Sequence, residues 1–189
     1  MKSSLLVVIT LSLAFFSCTE KTTNNETPVI VKEQAAVLNL ICKPSQNAIT
    51  TIGKPIVMLV SIDGLRADYI QKHQPPNILK IIKQGIYTTD MIPSYPSLTF
   101  PNHFTIATGR YPGHHGIVSN KFYDSARKEA YDAFKPKIAN DYTWYEGEPI
   151  WNVAEKNGMI AYTIDWVGSS AHVGQMDPTC YTQYNAKIT

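Results

Sequence analysis

Residues 93–120 read PSYPSLTFPNHFTIATGRYPGHHGIVSN, and the rest of the chain is best read outward from them. The stretch opens in a Pro/Ser-rich turn, passes through the hydroxyl of Thr99 and enters a short helical pattern. It closes on Gly109, Pro112, Gly113 and Gly116. Thr99-Phe100-Pro101 fits a helix start, with Pro101 in the first turn, where its missing N–H costs nothing. Phe104 continues the helix and Gly109 ends it. Thr99 then stands at the positive end of the helix, where free N–H groups can hold an anion. On local pattern alone Thr99 is expected to be the N-cap, a role threonine performs well.

Upstream, residues 55–62 (PIVMLVSI) form a continuous, partly β-branched apolar run. This is the pattern of a central strand buried on both faces. The run ends at Asp63-Gly64. A carboxylate at the C-terminal end of such a strand lies where open α/β sheets place their sites, although Asp-Gly also serves as a plain turn. Residues 76–84 put Ile78, Leu79, Ile81 and Ile82 on one helical face, with Gly85 expected beyond its end. Residues 87–92 read as a second strand, giving a βαβ-like unit and a parallel sheet.

Downstream, residues 126–141 are polar and mixed, and are expected to cross the surface as a loop. Pro149 starts a helix that turns Ile150, Val153 and Ala154 inward and stops at Gly158. Residues 159–166 (MIAYTIDW) read as the next strand. The expected fold is α/β, a central, mostly parallel sheet flanked by helices. It is incomplete at the C-terminus, because the chain stops shortly after a strand with no closing helix.

The chain has 189 residues, 44% hydrophobic and 17% charged, which suits one globular domain and argues against disorder. The formal charge is +2, with no long basic block, and none of the 11 Tyr sits in a basic run. A nucleic-acid-binding surface is therefore not expected. Lys2 followed by the apolar residues 5–16 is too short to span a bilayer as a helix and reads as an export leader. Small Ser17 before Cys18 resembles a bacterial lipoprotein signal. That resemblance implies cleavage at residues 1–17, a lipid on Cys18 and anchorage of the exported protein in a bacterial cell envelope. Residues 18–53 then read as a tether and residues 54–189 as the catalytic part. Cys42 and Cys180 remain; a disulfide between them and two free thiols are both open.

Several motifs occur together in one order: IDGLRADY at 62–69, the 93–120 stretch, GEPIW at 147–151 and the Trp166-Val167-Gly168-Ser169 turn. Together they resemble the nucleotide pyrophosphatase/phosphodiesterase family of the alkaline phosphatase superfamily. The resemblance implies an alkaline-phosphatase-like fold and hydrolysis of phosphodiester or pyrophosphate bonds through a phospho-threonine intermediate. It makes Thr99 the nucleophile, and Asp63 and Thr99 ligands within a site of two zinc ions. A threonine hydroxyl is a weak nucleophile, and zinc at its oxygen would lower its pKa. Asn120 matches an asparagine whose side-chain N–H steadies the phosphoryl oxygen. Phe100 matches an aromatic that packs on a nucleotide base, and Tyr184 matches a second. His103, His114 and His115 are expected to be structural rather than metal ligands.

Trp166-Val167-Gly168-Ser169-Ser170 departs from the family's usual Trp-Pro-Gly-Ser-Glu. The remaining zinc ligands and an Asp-His-Gly signature are absent from this sequence, so the chain is expected to be the N-terminal portion of such an enzyme, inactive alone. Two alternatives stand beside it. One is a sulfatase or phosphonate-ester hydrolase of the same superfamily, although those use a Cys/Ser-x-Pro-x-Arg context. The other is a non-catalytic, lipid-anchored surface protein. The substrate is expected to be a small phosphodiester or nucleotide, and the oligomeric state is not legible.

Overall fold

A computed structural model describes residues 5–10, 40–45, 47 and 55–183. Its first strands are Leu5–Thr10 (β1), Ile41–Cys42 (β2) and Val57–Ile62 (β3). β1 lies antiparallel to β3, with Leu5 opposite Ile62 and Thr10 opposite Val57. β3 is the strand its β-branched composition favours, but it is not buried on both faces. Val57 is 72% and Met58 57% exposed. Among the described residues, β1 is the one strand paired with it, and only Leu59 and Ser61, on one face, are half-buried.

Two short helices follow, Ala67–His73 (α1) and Pro76–Ile82 (α2). α1 was not anticipated. α2 carries Ile78, Leu79, Ile81 and Ile82 half-buried along one side, as the pattern requires. It ends earlier than expected, with Lys83 rather than Gly85 closing the turn. Residues 87–92, expected as a strand, form no ladder. The βαβ unit is therefore not closed among the described residues.

The helix of the opening stretch is Thr99–Thr108 (α3), and a single turn, Pro112–His115 (α4), follows. Lys121–Asp124 (β4) and Glu129–Asp132 (β5) make a hairpin, followed by Pro136–Ala139 (α5). This corrects the expectation of a surface loop over 126–141. Tyr131 and Ala133 of that segment are buried, at 1% and 3% exposure. The apolar payload is one tyrosine ring in a polar sequence, too little for periodicity to register.

Ile150–Lys156 (α6) starts after Pro149, and Gly158 follows its end at φ +74. The buried residues are Trp151 and Asn152, whereas Ile150 and Val153 are exposed. The helix is rotated from its expected face because the indole of Trp151 offers more apolar area than either aliphatic. Asn152 Nδ2 also donates to Val173 O at 2.7 Å. Of residues 159–166, only Tyr162–Thr163 (β6) forms a ladder, parallel to Cys180–Tyr181 (β7). β7 also pairs antiparallel with β2. The described strands thus form three small sheets in a mixed α/β arrangement, with one parallel pairing.

Cys42 and Cys180 face each other across β2 and β7 and are joined as a disulfide. The N-terminal segment is held a second time by Asn47, whose Nδ2 donates to Glu155 O at 2.9 Å. Glu155 gathers this corner. Its Oε1 accepts from Ala161 N, Thr179 N and Thr179 Oγ1 at 2.9, 2.8 and 2.6 Å.

The core is built around α3. Phe104 is fully buried, edge-on to His115 at 5.1 Å and to Tyr145 at 5.0 Å. Gly168 packs so closely on it that a Cβ there would lie 2.9 Å from Phe104 Cε2, and its φ of +83 also favours glycine. Tyr131 stacks on Phe122 and meets Trp144 edge-on. Tyr145 Oη donates to Ala139 O at 2.7 Å and accepts from Tyr131 Oη at 3.0 Å. Burial pushes the Tyr131 phenol up to about 12 and Tyr145 well above its ordinary value.

Candidate active site

The site is assembled where β3 ends and α3 begins. Asp63 follows β3 directly, in a turn with Gly64 at φ +69. Thr99 is the first residue of α3. The hydroxyl of Thr99 donates to Asp63 Oδ2 at 2.9 Å. Asp63 is exposed and Thr99 half-buried, so the pair is open to a ligand.

Thr99 is not the N-cap. That position is Leu98, in extended backbone (φ −113, ψ 157), which supplies no side-chain cap. The cap comes from elsewhere in the chain: Asn120 Oδ1 accepts from Phe100 N at 3.0 Å. A side chain twenty residues on thus satisfies a helix-start N–H that a local Ser, Thr or Asp usually takes. The threonine hydroxyl faces Asp63 instead. Because the backbone N–H can only donate, Asn120 must present its oxygen to it. Its Nδ2–H then remains a donor beside the same helix end.

The turn entering α3 is fixed by Asn102. Its Oδ1 accepts from Ser94 N at 2.8 Å and Ser94 Oγ at 3.1 Å. Its Nδ2 donates to Pro96 O and Leu98 O, both at 3.1 Å. The turn includes a cis Tyr95–Pro96 bond. An amide three residues into a helix carries no distinctive local signal, so the pattern of the motif does not single out Asn102.

Behind α3 lies a directed chain of buried polar groups. Ile117 N donates to His115 Nδ1 at 3.2 Å, so the imidazole carries its proton on Nε2. Nε2 lies 3.0 Å from Thr105 Oγ1 and 3.2 Å from Pro101 O. Thr105 Oγ1 lies 3.2 Å from Ser94 Oγ, which donates onward to Asn102. The Nε2–H is shared between Thr105 Oγ1 and Pro101 O, and the other links each take one donor and one acceptor. His115 is fully buried, and desolvation holds its pKa below the ordinary imidazole value, against backbone hydrogen bonds that act in the opposite sense.

Of the other histidines, His103 bonds within α3 and to β3, while His114 is exposed beside Gly109, Arg110 and Tyr111. Phe100 is buried at 6% exposure, edge-on to the exposed Phe134 at 6.3 Å. Asp63, Thr99, Phe100 and Asn120 are therefore brought together. Tyr184 and Cys18 lie outside the described residues.

Asp63 and Thr99 fit one side of a metal site, offering a carboxylate and a hydroxyl oxygen 2.9 Å apart. Zinc takes about four ligands. Among the described residues no group of three or more His, Cys, Asp or Glu could hold a metal. Asp63 and Thr99 by themselves supply two oxygens.

A family model described as type I phosphodiesterase/nucleotide pyrophosphatase matches residues 57–189. A Schizosaccharomyces pombe pyrophosphatase/phosphodiesterase is 37% identical over 155 residues, 82% of this chain and 32% of that protein. Human ectonucleotide pyrophosphatase/phosphodiesterase family member 1 is 40% identical over 136 residues, 71% of this chain and 15% of that protein. Among solved structures, an inactive Thr-to-Ala variant of murine ectonucleotide pyrophosphatase/phosphodiesterase 5 in complex with AMP aligns with a TM-score of 0.63 at 27% identity. It covers 68% of this chain and 34% of that one. The chain spans about a third or less of the length of these relatives. It belongs to the type I phosphodiesterase/nucleotide pyrophosphatase family.

Proposed function

We propose that the protein carrying this chain hydrolyses phosphodiester or pyrophosphate bonds of nucleotides or related small diesters, with Thr99 as the nucleophile. The observation that carries the proposal is the hydrogen bond from Thr99 Oγ1 to Asp63 Oδ2 at the start of a ten-residue helix. The Asp63 carboxylate orients the hydroxyl and leaves an oxygen lone pair free to attack phosphorus. A bond forms between Thr99 Oγ1 and phosphorus as the O–H bond breaks, the bond to the leaving oxygen breaks, and the proton reaches that oxygen through solvent. Water then cleaves the phospho-threonine and regenerates the hydroxyl.

Charge that builds on the phosphoryl oxygens meets neutral donors at the positive end of α3 and the Nδ2–H of Asn120. Phe100 is proposed to border the substrate's base, and Tyr184 to contribute a second ring. Asp63 and Thr99 would hold one of two zinc ions, together with ligands beyond the described residues. When bound, such ions supply Lewis acidity toward the hydroxyl and the phosphoryl oxygens.

The matching family model and the relatives are phosphodiesterases, so the sulfatase or phosphonate-ester alternative is not favoured. We also propose export, with Cys18 lipidated and the protein anchored in a bacterial envelope. The Cys42–Cys180 disulfide supports an oxidising compartment. Among the described residues no helix is long and apolar enough to cross a membrane. The test is hydrolysis of a nitrophenyl nucleotide ester by the full-length gene product. Turnover is expected in the wild type and not in Thr99→Ala; full activity of that variant would overturn the assignment.

A further inference from the structure

Two side-chain ties join β3 to α3, and only one of them touches the proposed reacting atoms. The first is Thr99 Oγ1 to Asp63 Oδ2 at 2.9 Å. The second joins Ser61 Oγ to His103 Nε2, also at 2.9 Å. On the strand side the partners are two residues apart; on the helix side they are four apart and run in the opposite direction. Two residues of extended chain rise about 6.6 Å, and four residues of α-helix rise about 6 Å. The two spacings match, so an extended segment and a helix running antiparallel can carry both ties at once, as two rungs of one ladder.

The proton positions follow from the partners. His103 Nδ1 lies 2.8 Å from Thr99 O. A carbonyl can only accept, so Nδ1 carries the hydrogen and donates to it. In the neutral imidazole Nε2 is then an acceptor, and Ser61 Oγ–H donates to it. One ring therefore grips the backbone of Thr99 and the strand that delivers Asp63. Trp166 holds the ring and its backbone: its Nε1–H donates to His103 O at 3.2 Å, and its indole stands edge-on to the imidazole at 5.6 Å. Ser61 and His103 are both half-buried, which lessens competition from water for these bonds.

We propose that His103, working with Ser61, is a positioning residue that sets the register between Thr99 and Asp63. It does not touch the substrate. It fixes how far the first turn of α3 stands from the end of β3, and hence whether the hydroxyl faces the carboxylate. Misplacement of reacting groups by about 1 Å can cost about 100-fold in rate. The proposal rests on Thr99 being the nucleophile.

The test compares His103→Leu, His103→Asn and Ser61→Ala with the wild type in the full-length gene product, using a nitrophenyl nucleotide ester and thermal melting by circular dichroism. Asn places an amide N–H near the position of Nδ1 and can still donate to Thr99 O; Leu can make neither bond. The expected result is a fall in kcat of about 10- to 100-fold for His103→Leu with KM within about twofold. His103→Asn is expected to recover most of that loss, and Ser61→Ala to lower kcat in the same sense but less. An unchanged kcat in folded His103→Leu overturns the proposal, as does an equal loss in His103→Asn and His103→Leu at the same melting temperature. Thr99→Ala is run beside them. If it alone abolishes turnover, the nucleophile assignment stands and the positioning role falls. If it retains full turnover, both fall.

Discussion

Thr99 and Asp63, 36 positions apart in sequence, meet at 2.9 Å through a hydroxyl donor and a carboxylate acceptor. Thr99 stands at the first position inside its helix, not at the cap. Asn120 supplies the oxygen that Phe100 N–H needs, and Leu98 takes the cap position with no polar side chain. Three separate segments thus converge on one helix end.

Asn120 is expected to serve both stability and rate, and two substitutions separate the contributions. Asn120→Asp keeps the oxygen that caps Phe100 and loses the Nδ2–H donor. Its urea midpoint should stay near that of the wild type while kcat falls by about 10²- to 10³-fold. Asn120→Ala should lose the same activity and also about 1 kcal/mol of stability. Equal activity in Asn120→Asp and the wild type would remove Asn120 from the oxyanion role.

Asn102 is expected to be the costliest polar residue to replace near the site. Asn102→Leu leaves Ser94 N–H without its acceptor, while the carbonyls of Pro96 and Leu98 keep the backbone N–H groups of Leu98 and Asn102. A buried unsatisfied group costs about 1–3 kcal/mol, and a loss in that range is expected in urea unfolding. A change below about 1 kcal/mol would mean that water replaces the amide readily.

The helix itself was largely legible. Pro101 in the first turn and Gly109 at φ +67 bound it as the pattern required. The identity of the cap was not, because the competing acceptor, Asn120, is remote in sequence and a hydroxyl at a helix start looks the same whether it caps or reacts. β3 was legible as a strand from its β-branched run, but its exposure was not, since burial depends on what covers the faces. Tyr131 escaped notice because the one ring on β5 lies among polar residues, and its partner Phe122 sits on the other strand of the hairpin. The Asp63–Thr99 pairing entered through the family motifs; local pattern left Asp63 as a turn residue and Thr99 as a cap.

His115 gives a pH dependence whose sign follows from its environment. Its folded pKa is depressed by burial, while the unfolded chain titrates near about 6.5. Below that value the unfolded state binds a proton that the folded state refuses. Stability is therefore full above about pH 6.5 and falls as pH drops through it toward the lower folded pKa. His115→Gln should flatten that part of the curve measured by urea unfolding. An identical slope in the variant would assign the dependence to other groups.

The Cys42–Cys180 disulfide closes a loop of 138 positions. On the chain-entropy account a loop of this size is worth about 5 kcal/mol. Cys42→Ser should lower stability by up to that amount under oxidising conditions. Added reductant should destabilise the wild type and leave the variant unchanged. A variant as stable as the oxidised wild type would show that Asn47 and Glu155 hold the segment unaided.

The most direct measurement is capture of the covalent intermediate. Full-length gene product is mixed with a nucleotide ester, quenched in acid within one turnover, digested and mapped by mass spectrometry. One nucleotidyl group, joined through phosphorus, is expected on the peptide containing Thr99, located by fragmentation to Thr99 itself, and none in Thr99→Ala. Steady turnover with no nucleotidyl group on Thr99, or with the label on another residue, would contradict this assignment.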